Sequence, residues 1–88
     1  MHDPNPGPLL QQQDDAAVDA FAAHMKAKLA RARANGRGGW QTCSPEVLSR
    51  MLREHVDKGD PVDVANFAMF LHALGAPIGQ PDVRITDY

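Results

Sequence analysis

The segment between Asp60 and Gly75 constrains the fold of this chain more than any other. Asp60 can cap free amides, Pro61 suits the first helical position, and Asp63 can complete a capping box. From there to Gly75 the residues are almost all apolar. A helix that is apolar on every side must be buried on every side. The sequence therefore predicts a central third helix that the other helices and another chain cover together.

Two further helices are predicted upstream. From Asp14 onward, apolar residues recur at helical spacing until Gly36, a residue that tolerates the left-handed backbone of a helix end. Ser44 and the proline after it predict the start of a second helix, which Gly59 ends. The predicted apolar stripes comprise Val18, Phe21, Ala22, Met25, Leu29 and Ala32 in the first helix and Val47, Leu48, Met51, Leu52, His55 and Val56 in the second.

The 88 residues are enough for one domain only. Prolines, a glycine and three glutamines predict a flexible arm over residues 1–13, followed by a helical domain over residues 14–75. Residues 76–88 form the predicted irregular C-terminal tail, in which Val83 and Ile85 alternate with polar residues as in a short extended segment. The predicted fold class is therefore an all-α, three-helix domain with an arm and a tail.

Acidic and basic residues are separated along the first helix. Residues 1–20 contain four aspartates and no Lys or Arg, whereas residues 21–43 contain five Lys or Arg and no acid. This distribution complements the helix macrodipole, which favours acids at the N-terminus and bases at the C-terminus. The alternative is a nucleic-acid-binding surface, whose affinity would fall with salt. The basic residues are Lys26, Lys28, Arg31, Arg33 and Arg37.

Composition also predicts the cellular location of the protein. It contains no run of roughly 20 apolar residues that could span a membrane, and its first residues lack a signal pattern. Cys43 is the only cysteine, so no internal disulfide is expected and a reducing compartment fits. We expect a soluble cytoplasmic protein with no membrane contact. Its aromatic content of 6% predicts a thin core, which favours self-association or a protein partner.

Acidic residues recur at every third position from Glu54 to Asp63. Because Mg²⁺ prefers several carboxylate oxygens, Glu54, Asp57 and Asp63 are candidate metal ligands. Capping explains Asp60 better than metal binding does, and for Asp63 both roles stay open. No paired Cys and His spacing points to zinc.

Other residues are candidates for binding. Arg37 and Trp40 stand at a glycine-rich loop that could approach phosphate but lacks the Lys-Ser/Thr ending of a P-loop. The alternative is a helix exit followed by a packed tryptophan. Asn66 lies in the apolar helix, where an unpaired amide costs roughly 1–3 kcal/mol, so it either fixes helix register or lines a polar site. Lys28 completes the set as a possible phosphate contact.

Four short segments resemble small phage and prophage proteins related to MazG-like all-α nucleoside-triphosphate pyrophosphohydrolases. The most specific is Asp-Val-Ala-Asn-Phe at residues 63–67; the others are residues 25–29, 38–40 and 52–54. The resemblance implies a Mg²⁺ cluster held by a glutamate-rich helix and an acid on the next helix, positions that Glu54 and Asp63 match. Residues 55–59 depart from the glutamate run and leave too few carboxylates for two metals.

Three functional hypotheses follow. The first is a non-enzymatic binding protein of phage type that needs no cofactor, such as an inhibitor of a host or defence enzyme. The second is a Mg²⁺-dependent nucleotide pyrophosphohydrolase that uses Glu54, Asp57 and Asp63, with Arg37 or Lys28 on the phosphate. The third is nucleic-acid binding through the basic residues of the first helix.

Overall fold

The computed structural model describes residues 6–81. Within that range the chain has three α-helices, which confirms the predicted all-α fold class. The predicted extended segment at Val83 and Ile85 lies outside the described residues. The elements are α1 (Gly7–Ala34), a 3₁₀ turn (Trp40–Thr42), α2 (Pro45–Lys58) and α3 (Pro61–Ala73).

α1 begins earlier than the apolar pattern predicts. It starts at Gly7 instead of Asp14, and the amide of Leu10 already donates to the carbonyl of Pro6 at 2.9 Å. Pro8 stands in the first turn, where a missing N–H leaves no helical hydrogen bond unmade. The predicted irregular arm is therefore wrong for residues 7–13, because a proline at a helix start does not break the helix.

The two predicted N-caps of the later helices are confirmed. Ser44 Oγ accepts a 3.2 Å hydrogen bond from the amide of Val47 at the start of α2. Asp60 Oδ1 accepts from the amides of Val62 at 3.0 Å and Asp63 at 3.5 Å at the start of α3. The helices also end at the predicted glycines, since Gly36, Gly59 and Gly75 all have positive φ angles just beyond them.

The core lies between α2 and α3. Leu48 and Leu52 of α2 are buried against Phe70 and Leu71 of α3. The indole of Trp40 stacks on the ring of Phe70, with centroids 4.8 Å apart and planes 8° apart. The turn between α1 and α2 thus contributes an aromatic cover to this core.

α3 packs against both α2 and α1. Even so, only Asn66, Phe70 and Leu71 of this helix are buried, and its other apolar side chains are half-buried or exposed. The described part of the chain therefore covers α3 incompletely. That another chain covers the remaining sides of α3 stays a prediction.

Residues 76–81 have no regular secondary structure, as predicted for this part of the tail. Ala76 packs against the core, and the amide of Gly79 donates a 2.8 Å hydrogen bond to Oγ of Ser49. Ser49 is only 2% exposed. This bond holds the first residues of the tail against α2.

Candidate binding cleft

One lysine joins α1 to the first turn of α3. Lys28 Nζ donates to the carboxylates of Asp60 and Asp63, the latter at 3.0 Å, and all three side chains are partly exposed. The hydrogen bond to Asp60, followed by the one to Asp63, raises the pKa of Lys28 above its ordinary value. The hydrogen bond from Lys28 lowers the pKa of Asp60, and the amides of Val62 and Asp63 lower it further.

His55 of α2 approaches the same group. Its Nδ1 lies 2.8 Å from the carbonyl oxygen of Met51, so this nitrogen carries the proton and donates. Its Nε2 lies 4.0 Å from Oδ2 of Asp63, and its ring lies against Phe67 with centroids 4.8 Å apart. Asp63 is therefore the point at which side chains of all three helices meet.

Lys28, His55 and Asp63 form one wall of an open cleft of about 920 Å³. Its other walls are the C-terminal end of α1, the loop that follows it, and the turn that begins at Trp40. Gly39 has a φ of 86°, a left-handed conformation that favours glycine, and its carbonyl accepts 3.2 Å hydrogen bonds from the amide and Oγ1 of Thr42. Gly39 thereby sets the direction in which Trp40 enters the cleft.

The charged residues that line the cleft are mostly cationic. Asp63 is the one carboxylate among the described lining residues, and Lys28 is already bonded to it. The floor is apolar and aromatic, with Leu29, Met51 and Phe67 beside Trp40. The cleft is thus a basic region on a chain whose formal net charge is −2. Its cationic lining residues are Lys28, Arg31, Arg33, Arg37 and Lys58.

All four binding candidates from the sequence line this cleft: Lys28, Arg37, Trp40 and Asn66. The sequence indicated Arg37 and Trp40 through their shared glycine-rich loop, and Lys28 and Asn66 for other reasons. The fold brings them together because the exit from α1 turns back over α2 and α3.

The three candidate metal ligands do not come together in the same way. Asp63 lines the cleft, but Glu54 and Asp57 are exposed on α2 and lie outside it. Residues 6–81 contain no group of three or more His, Cys, Asp or Glu side chains placed to hold a metal ion. The magnesium site stays a prediction, and nothing in the described residues supports it.

Asn66 is 4% exposed and performs one of its two predicted roles. Its Nδ2 donates a 3.4 Å hydrogen bond to the carbonyl of Met25, which ties α3 to α1. Its Oδ1 is buried with no hydrogen-bond partner in the described part of the chain. A polar atom left unpaired beside a cleft is a candidate acceptor for a ligand or a water.

Lys58 and Phe67 line the cleft although neither was a binding candidate. Lys58 is the last residue of α2, and Phe67 of α3 packs against the core. Each residue thus has a local structural role, and only the packing of the helices shows that both side chains also face the cleft. No local signal in the sequence separates this double role from a purely structural one.

No protein-family model matches this chain, and neither the curated proteins nor the solved structures contain a significant match. Among the helices of residues 6–81, none combines the length and the apolar character that a membrane crossing requires.

Proposed function

We propose that this chain is a small helical binding protein whose cleft holds an acidic segment of a protein partner. One observation carries the proposal: the lining cations Arg31, Arg33, Arg37 and Lys58 form no ion pair within the described residues. Arginine presents a planar fork that pairs with carboxylates through two hydrogen bonds. An acidic segment would supply those carboxylates.

The floor of the cleft supports the same proposal. Trp40 and Phe67 offer aromatic surface next to these cations, and Trp and Arg are the residues that most often dominate the energy of protein interfaces. The volume of about 920 Å³ lies in the range of roughly 300–1,000 Å³ that is typical of binding sites. A segment with one apolar residue flanked by acidic residues matches both the apolar floor of the cleft and its cationic lining residues.

The charge of the rest of α1 favours a protein segment over nucleic acid. Asp14, Asp15 and Asp19 are exposed on the same helix that carries the basic residues. A polyanion that followed the basic residues along α1 would meet these carboxylates, whereas a short acidic segment would stay within the cleft. The repulsion weakens over about 10 Å at ordinary salt, so it acts on long ligands only.

The geometry favours binding over hydrolysis of a nucleotide. Mg²⁺-dependent attack on a phosphate chain needs a cation held by several carboxylates, and within residues 6–81 Asp63 is the one carboxylate that lines the cleft. The resemblance to phage proteins supports an enzyme of the host or its defence as the partner, and the lone Cys43 supports a cytoplasmic location.

The fluorescence of Trp40 tests the proposal, because this residue is the only tryptophan and lines the cleft. The probes are short peptides that carry Asp and Glu around one Leu or Phe, with matched Lys-containing peptides as controls. We expect a saturable change in emission with the acidic peptides alone. The apparent affinity should fall with salt and should fall further in the R31A/R37A variant.

A matched control is R50A, since Arg50 is exposed on α2 and lies outside the cleft. It should leave the titration unchanged. A response to a single-stranded oligonucleotide but to no acidic peptide would overturn the proposal in favour of nucleic-acid binding. Release of pyrophosphate from a deoxynucleotide with Mg²⁺, lost in D63A, would overturn it in favour of hydrolysis.

A further inference from the structure

The N-terminal half of α1 has an apolar face that nothing in the described chain covers. Val18 and Phe21 are 65% and 37% exposed. Met25 and Leu29 follow Val18 and Phe21 at spacings of three or four residues, so the four side chains share one face of the helix. Met25 and Leu29 lie at the contact of α1 with α3, where Met25 accepts the hydrogen bond from Asn66 and Leu29 packs against the core. The face that packs on α3 therefore extends beyond α3.

The length of α1 makes this exposed half unusual. Its 28 residues span about 42 Å at 1.5 Å per residue. Residues 8–21 are all exposed, so the described chain leaves most of the first half of the helix in contact with water. Isolated helices of about 12–15 residues are marginal in water. Packing against another surface would therefore stabilise this half of α1.

The same molecule offers such a surface. A shallow groove of about 180 Å³ runs between α1 and α3. It is lined by the apolar residues Ala22, Met25, Leu29 and Met69 together with Lys26 and Asn66. It has room for an aliphatic side chain, and Val18 is the most exposed large apolar residue among those named above. In an antiparallel pair of chains, Val18 of each copy reaches the groove of the other.

The charges of α1 determine the direction of pairing. Asp15, Asp19 and Lys26 are exposed and follow one edge of the helix at spacings of four and seven residues. Antiparallel pairing sets the acidic half of this edge against the basic half of the other copy. Parallel pairing would set acids against acids and bases against bases.

We infer that this face of α1 binds a second copy of the chain, as an antiparallel α1–α1 dimer about a two-fold axis near Ala23. Val18 of each copy occupies the groove beside Met69 of the other. Asp19 faces Lys26 of the other copy across the interface. Trp40 and Arg37 line the cleft but not the groove, so the dimer leaves them accessible.

Sedimentation velocity over a concentration series tests the inference. We expect the wild-type chain to dimerise and V18D to be monomeric, with self-association weakened by more than about tenfold. V56D is the matched control, since Val56 is 54% exposed on α2 and lies outside the groove. It should dimerise like the wild type. Circular dichroism of each variant checks that α2 and α3 stay folded.

Charge reversal tests the direction of pairing and leaves the apolar side chains of the groove unchanged. D19K alone should weaken the dimer, and the double variant D19K/K26D should restore it, because both chains then carry the exchanged pair. A wild-type chain that stays monomeric up to millimolar concentration would overturn the inference. Dimerisation of V18D, or failure of D19K/K26D to restore the dimer, would overturn it equally.

Discussion

Lys28 and Asp63 lie 35 positions apart in the sequence, yet Nζ of the lysine donates a 3.0 Å hydrogen bond to Oδ2 of the aspartate. The bond joins the second half of α1 to the first turn of α3. Lys28 also bonds to the N-cap residue Asp60, so the same cation stabilises the helix start and closes one wall of the cleft. Changes to this group should therefore alter both stability and binding.

Removing the charge of Asp60 should reduce the loss of folding stability at acidic pH. The pKa of Asp60 is lowered in the folded chain, chiefly by the hydrogen bond from Lys28. Its stabilisation is therefore complete above the ordinary value of 3.8 and is lost as pH falls through the lower folded value. Asparagine caps helices as well as aspartate does, so D60N removes only the charge.

Thermal unfolding of D60N between about pH 5 and pH 2 measures this effect. The wild type should lose more stability over that range than D60N does. D57N is the control, since Asp57 is exposed and forms no ion pair within residues 6–81. Equal losses in the wild type and D60N would show that the Lys28 contact contributes nothing to folding.

Replacing Gly39 should displace Trp40. Alanine at a φ of 86° is strained, so G39A should cost about 1 kcal/mol of unfolding free energy and shift the tryptophan emission to longer wavelength. G38A is the matched control, because Gly38 has no positive φ and a Cβ there meets no atom within 4 Å. Urea unfolding and emission spectra check both. Equal behaviour of the two variants would contradict the assigned role of Gly39.

Asn66 should be replaceable by leucine without loss of stability. Its Oδ1 is buried and has no partner among residues 6–81, and its bond to Met25 is long at 3.4 Å. N66L removes the unpaired acceptor and should leave the free energy of unfolding unchanged or raise it by about 1 kcal/mol. N66D should destabilise strongly, because it buries a charge without a partner. Strong destabilisation by N66L would mean that the amide is fully satisfied in solution.

The bond between Ser49 and Gly79 should hold the tail. S49A removes the acceptor of a 2.8 Å hydrogen bond at a site that is 2% exposed, at an expected cost of about 1 kcal/mol. The amide of Gly79 should then exchange faster with solvent than in the wild type, while core amides of α2 change only through the global loss of stability. Unchanged exchange at Gly79 would show that another contact holds the tail.

Much of the helical framework was predictable because helix ends depend on local chemistry. Ser44 and Asp60 cap amides only two or three residues away, so their roles could be inferred from neighbouring residues. The start of α1 could not be inferred in the same way. Pro8 is compatible with both a loop and a first turn, and the choice between them depends on more than the pattern of residues nearby.

The location of the cleft could not be predicted from the sequence. The types of residue at Arg37 and Trp40 indicated binding, but their common location depends on how α1 crosses α3. Asp63 was predicted either to cap its own helix or to bind metal. Its carboxylate instead bonds to Lys28, a residue too distant in the sequence for any local pattern to indicate.

Amide chemical-shift mapping decides whether the cleft is the binding site. On adding an acidic peptide with one apolar residue, we expect the perturbed amides to cluster at residues 31–40 and 63–70, together with the indole N–H of Trp40. Residues 7–21 should remain unchanged. Perturbations confined to residues 7–21, or the absence of any perturbation at saturating peptide, would contradict the assignment of this cleft as the site that binds an acidic partner.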